Sequence, residues 1–226
     1  MRVPYPSRNR VSPRQAIIVV CSDSAQSLVQ KAIEPLLLDL LGMLVGVNGV
    51  SIVAVATNRT LGRRIAKTLP AGVELFVPPV GEPAIGWTAR NLVGKGFERI
   101  LVVASDVIGL PVRVISTALS AIESESVIRA DTPFGNPYLF GVSTALLSHS
   151  TDLYQLNTLD QKDVMEHVAP TRGMGRFPRL SELTDTTEIR KLVIANARLL
   201  PRLSRCLDQF VIESQSEQDL HERQHN

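Results

Sequence analysis

Aromatic residues make up only 4% of the 226 positions. Val, Ile, Leu and Ala must therefore build the core, which is the usual filling of a parallel sheet covered by helices on both faces. Cysteine is almost absent. Cys21 and Cys206 are the only two, far apart and without a spacing motif, so they form neither a disulfide framework nor a metal-binding pattern. Free thiols in a reducing, cytoplasmic setting are expected. Charge of one sign is missing as well: 24 basic residues face 22 acidic ones, a formal net charge of +2. That excess is too small to leave an electrostatic footprint for nucleic acid. The longest apolar run, LLLDLLGMLVGV (residues 36–47), is too short to span a bilayer and carries Asp39 in its middle. It reads as a helix buried against the sheet, or as a surface for a partner or a second copy of the chain, giving a homodimer.

Two nucleotide signatures are lacking. There is no phosphate-binding loop of the Gly-Lys-Ser/Thr type, and the glycines form no dinucleotide fingerprint. The turn after the first apolar run, CSDSAQS, has no glycine, which argues against a dinucleotide-dependent oxidoreductase. His149 and His167 have no ligand spacing with each other.

What is present suits one domain. Residues 1–14 are basic and Pro-rich without the apolar region of a signal peptide, and read as a flexible leader. The α/β domain spans 15–205, and 206–226 read as a polar tail. Strands are expected at 15–22, 51–56, 74–77, 99–104, 126–129 and 138–142. Helices are expected at 60–69, 84–95, 111–122, 158–167 and 186–200, with Pro35 opening a second helix or kinking a continuous one. Alternation of this kind gives a βαβ sheet.

The segment ERILVVASDVIGLP (98–111) carries the most chemistry. Ligands of open α/β sheets bind beyond the carboxyl ends of the strands, and Asp106 lies there, after a buried strand and before a helix started by Pro111. A carboxylate so placed can hold a divalent cation that bridges phosphate oxygens. It can equally cap its own turn; the segment alone leaves both open. Arg172 and Arg176, in TRGMGRF, could grip a phosphate or carboxylate, or simply solvate a loop. Trp87 reads as a core or interface aromatic rather than a stacking platform.

The segment also resembles the strand-and-turn signature of the GT-A-type nucleotide-diphospho-sugar transferases, in particular the small bacterial glycosyltransferase-like branch. There the turn typically reads Gly-Ser/Thr-Asp-x-Pro-Gly-Leu. Asp106, Gly109 and Leu110 match it, and Ile108 stands where Pro is usual. NPYLFGVS (136–143) is similar to the branch's Tyr-Tyr-Leu-Ile-Gly-Leu strand, and RLSELTDTTEIRKL (179–192) to its late Asp-Val-Asp-Thr-Pro-Glu-Asp-Leu segment. The resemblance runs from about Gly81 to Leu192. It implies a Rossmann-like three-layer α/β sandwich of the GT-A type with a mostly parallel central sheet. It further implies glycosyl or nucleotidyl transfer from a nucleotide or nucleotide-sugar, with Mg or Mn held by Asp106 and by Asp185 or Glu182. Ser22, Asp23, Thr57, Asn58 and Ser105 would line the nucleotide pocket, and Asp131, Asn136, Arg172 and Arg176 would meet the substrate.

Several positions depart from the pattern. The basic loop that follows the first strand in the family is replaced by CSDSAQSLVQK. The Asp of the family's Asp-Gly-Gly falls on Phe134, with Asp131 three residues earlier. In the late segment the second Asp falls on Thr184 or, with a slip, on Asp185, and the Pro is Thr. Transfer from a nucleotide donor depends on charge neutralisation. These losses point to an alternative: a GT-A-fold protein that has lost catalysis and serves as a binding or assembly module.

Overall fold

Four parallel strands form the centre of the molecule: β1 (Gln15–Cys21), β2 (Val50–Ala56), β3 (Val73–Phe76) and β4 (Arg99–Ala104). Two more, β5 (Val127–Asp131) and β6 (Pro137–Ser143), complete a six-stranded sheet of order β3-β2-β1-β4-β6-β5. The computed structural model describes residues 14–21, 27–122, 127–147, 152, 154–161, 170–171 and 173–208, and the backbone alone at 153. Side chains are described from Ala32 onward in the first helix. β6 is antiparallel to both β4 and β5. Consequently β5 runs in the direction of β4, and both end at one edge of the sheet. Strand order reverses between β1 and β4, the place where open α/β sheets bind ligands.

The sequence explains this core directly. In β1 and β4 only the first residue is partly exposed, and the β-branched runs IIVV and ILVV are buried on both faces. Helices cover those faces: α1 (Ser27–Leu44), α2 (Arg59–Ile65), α3 (Ala84–Gly94), α4 (Val112–Ala121), the short α5 (Thr144–Leu147) and α6 (Thr186–Ala195). A seventh helix, α7, occupies 201–208.

Residues 36–44 of the apolar run belong to α1, which continues through Pro35, and 45–47 form the turn that follows. Leu36, Leu37, Leu40, Leu41 and Leu44 are all buried within the chain. The run is a core helix, so its apolar character no longer calls for a second copy. Asp39 has a specific task there. Its carboxylate, 1% exposed, accepts from the backbone N–H of Leu203 at 3.0 Å and of Arg202 at 3.0 Å. It thus caps the first turn of α7 from another helix, satisfying donors that every helix start leaves open. Leu203 and Leu207 pack with Ile33 and Leu36 in a second apolar cluster. The chain therefore remains helical through residues 206–208, beyond the expected start of the tail.

Other boundaries move for physical reasons. α2 closes at Ile65 rather than 69. Residues 196–200 form a turn, and Pro201 opens a separate helix, where its missing N–H costs nothing. Residues 158–161 are turn and coil rather than helix, and the remainder of that expected helix lies outside the described residues. Trp87 meets Phe76 edge-on at 5.8 Å, as a core aromatic. Gly86 lets α3 touch the 152–155 turn: a Cβ there would stand 1.8 Å from the Tyr154 carbonyl oxygen. Among the described residues, no helix is long and apolar enough to cross a membrane.

Candidate functional site

The buried end of β4 delivers Ser105 and Asp106 to the sheet edge as the sequence implies. What meets Asp106 there is a guanidinium. Arg179 Nε donates to Asp106 Oδ1 at 2.8 Å, and Ser181 donates to Oδ2 through its hydroxyl at 2.5 Å and its backbone N–H at 3.2 Å. The Arg179 and Asp106 side chains are 7% and 1% exposed. Arg179 also grips Asp160 through Nη1. Burial alone would pull the Arg179 pKa down, but the charges of Asp106 and Asp160 outweigh it, and the net shift is upward. The guanidinium is therefore a fixed internal cation.

The backbone reinforces this lock. Val107 and Arg179 form an antiparallel bridge, with Ile108 N–H donating to the Pro178 carbonyl at 2.9 Å and Leu180 N–H to the Asp106 carbonyl at 2.8 Å. Ile108 occupies the position where the resembling branch carries Pro. Proline has no N–H, so the substitution supplies a donor that the bridge requires. Gly109, at φ 73°, adopts a conformation that side-chain-bearing residues avoid. A Cβ there would lie 2.6 Å from Asn196 Oδ1. Two of the three matching residues of the turn, Asp106 and Gly109, thus have structural tasks.

The second carboxylates are engaged as well. Glu182 Oε1 accepts from Thr132 Oγ1 at 2.9 Å and Asn136 Nδ2 at 2.7 Å, while Oε2 accepts from Arg179 N–H at 3.1 Å. Exposed Asp185 caps α6, accepting from Thr187 N–H at 2.7 Å. Asp131 pairs with Arg129 in a two-pronged bridge, Nε to Oδ1 at 2.7 Å and Nη2 to Oδ2 at 3.1 Å. Asn58 caps α2 by accepting from Leu61 N–H at 2.8 Å. Thr57, just before it, hydrogen-bonds through its backbone to Cys21. Ser22, Asp23 and Arg172 lie outside the described residues.

These contacts decide the fit of a divalent cation. A Mg or Mn ion needs several oxygen ligands free of other cations. Both Asp106 oxygens are already hydrogen-bonded, one of them to a guanidinium. Among the described residues, no three His, Cys, Asp or Glu side chains gather into a metal-holding group. The described residues do not fit the ion.

Close to the switch point, Val20 and Ala104 meet Thr158, Leu159, Asp160 and Arg179 around a void of about 10 Å³, room for roughly one water. The larger opening lies further along the same edge. A cleft of about 580 Å³ sits between the β5–β6 turn and residues 170–171 and 173–176, with Phe134, Thr171, Met174 and Arg176 among its walls. Its floor is rigid: the buried Tyr138 hydroxyl donates to the Met174 carbonyl at 3.1 Å and the Gly175 carbonyl at 3.3 Å. Burial first, and then the Asp131 charge, push the Tyr138 pKa upward, so this phenol stays a donor. Cys21 is buried, and its thiol pKa is pushed up to about 12, which leaves it a poor nucleophile.

Sequence reasoning reached Asp106 but missed Arg179 and Asp160, its partner and its partner's partner. Nothing in PRLSELTD marks Arg179 as buried; only the tertiary bridge to Val107 does so.

The same fold occurs in solved structures. One is the homologue of Mycobacterium tuberculosis rv0371c from Mycobacterium sp. strain JC1, at 14% identity and TM-score 0.61, covering 82% of this chain and 98% of that one. Another is a 4-diphosphocytidyl-2C-methyl-D-erythritol synthase, at 14% identity and TM-score 0.51, covering 80% of this chain and 97% of that one. A protein described as a nucleotide-diphospho-sugar transferase from Desulfovibrio desulfuricans G20 aligns with 57% of this chain at 14% identity and TM-score 0.47. This chain spans 63% of that protein's length. The six-stranded mixed α/β architecture is thus shared with the first two of these structures. No family model and no curated protein matches the sequence.

Proposed function

We propose that this chain is a transferase-like protein of GT-A fold in which the metal-dependent centre has become a structural lock, leaving a binding or assembly module. The observation that carries this reading is the Asp106 carboxylate, held on both oxygens by Arg179 and Ser181 in a nearly water-free site. A guanidinium with fixed hydrogen bonds supplies the positive charge that a divalent ion would otherwise bring. Unlike a metal, it offers no open position for a phosphate oxygen.

Glycosyl or nucleotidyl transfer from a nucleotide-sugar or small phosphorylated substrate, with Mg or Mn at Asp106 and Asp185, is the second reading. One observation favours it: the strand ends of β4 and β5 share an edge with a cleft of about 580 Å³, within the usual range of small-molecule pockets. On that reading Arg179 would have to leave Asp106 before any ion could bind. Calorimetry with Mg²⁺ or Mn²⁺ and a panel of nucleotides and nucleotide-sugars separates the two. The module reading expects no metal-dependent binding. Metal-dependent binding of a nucleotide that is abolished in Asp106→Asn would contradict it.

A further inference from the structure

We infer that the cleft between the β5–β6 turn and residues 170–171 and 173–176 binds a small organic anion with a ring-shaped body. This goes beyond the reading above, because it concerns a different part of the edge and needs no metal.

The charge balance comes first. Among the described residues, two ionisable side chains line the cleft, Asp131 and Arg176. Asp131 is neutralised in place by its two-pronged contact with Arg129, and both side chains of that pair are largely buried, at 12% and 13% exposure. Arg176 is exposed and has no hydrogen-bond or ion-pair partner among the described residues. The cleft therefore presents one unsatisfied cation whose planar donor fork suits a carboxylate or phosphate oxygen pair.

Shape and apolar surface come second. Phe134, at the tip of the β5–β6 turn, is 57% exposed. It offers a face on which a planar or ring-shaped body can lie. Pro133 and Pro170 add further apolar surface to the cleft lining.

Construction comes third. Gly135, Gly173 and Gly175 line the cleft with φ of 85°, 84° and 76°. With no side chain at these positions, the backbone of both walls is laid open. The Gly173–Gly175 wall is held from beneath by the Tyr138 hydroxyl, and Phe177 braces Tyr138 edge-on at 5.8 Å. A cavity with a pinned floor, an apolar flank and one free cation is pre-organised, so little ordering is needed when a ligand enters.

An amide NMR titration of the full chain tests this, with phenyl phosphate, benzoate, inorganic phosphate and benzyl alcohol as probes. Phenyl phosphate or benzoate is expected to shift the Gly135, Gly173 and Gly175 amides saturably at millimolar concentration. A preference for one of these two probes identifies the headgroup as phosphate or carboxylate. The uncharged benzyl alcohol should bind about tenfold more weakly or not at all, for want of the charge-assisted contact. Arg176→Gln should weaken both ring anions about tenfold at an unchanged Tm. Phe134→Ala should bring phenyl phosphate down to the affinity of inorganic phosphate. Two results would overturn the inference: no shift of these amides with any anion, or shifts that persist unchanged in Arg176→Gln.

Discussion

The two ends of one sheet edge differ in how they treat charge. At the β4 end, Asp106 and Arg179 are matched inside the protein, dehydrated and cross-linked by backbone bonds. At the β5 end, Arg176 lines an open cleft with no charge partner among the described residues. A buried pair satisfied on every donor and acceptor holds structure together and leaves nothing for a ligand to claim. An unmatched cation in a hydrated cleft adds little to stability and remains available. The turn that carries the strongest sequence signature is thus the internal one, and a loop with no recognisable motif is the accessible one.

The largest way to break this contrast is to remove Arg179. Arg179→Ala leaves a buried carboxylate without its counter-charge, and should cost about 3–5 kcal/mol in chemical denaturation. The double variant Asp106→Leu with Arg179→Met should recover most of that loss, because apolar replacement of a whole buried pair is often close to neutral. Failure of the double variant to recover would mean that the pair does more than hold the edge together.

Ile108→Pro tests the bridge beside the pair. It removes the N–H that donates to Pro178, and about 1–3 kcal/mol of stability should go with it. A neutral result would show that this departure from the resembling turn has no structural part. Asp39→Ala removes the cap of α7, and roughly 1 kcal/mol should be lost through fraying of that helix, read by hydrogen exchange. Arg176→Gln, in contrast, should change stability by less than about 0.5 kcal/mol, as expected for an exposed and unpaired side chain.

Alkaline pH probes the core behind both ends. The folded Cys21 thiol is raised by burial from an ordinary 9.0 to about 12. The unfolded chain therefore ionises first. Stability contributed by this group is intact below about pH 9 and falls as pH rises toward 12. Tyr138, raised by burial from an ordinary 10.0, adds to the loss from about pH 10 upward. Cys21→Ala should flatten the pH dependence of Tm between pH 9 and 10 and leave the steeper part in place.

The sequence shows the sheet clearly because fully buried parallel strands are short, continuous and β-branched. IIVV, SIVAVA and RILVVA each became a strand within one residue of the expected limits. The strand expected at 138–142 and the helix expected from 186 also formed, although that helix closes at Ala195 rather than 200. The site was harder to read. Asp106 was visible as a position, but whether it faced a ligand or a counter-ion depended on Arg179, which is 73 residues away. The sequence context of Arg179 does not distinguish it from an exposed basic residue. Asp39 was equally ambiguous. An acidic residue within an apolar helix looks like a mark of an interface until α7, contributed from residue 201 onward, is seen to rest its first turn on it.

Mn²⁺ binding measured by electron paramagnetic resonance tests the structural lock most directly, with wild type and Asp106→Asn compared at physiological salt. The lock predicts that wild type leaves Mn²⁺ free in solution and that Asp106→Asn changes nothing. Stoichiometric Mn²⁺ binding to wild type that disappears in Asp106→Asn would contradict it and return Asp106 to a metal-holding role.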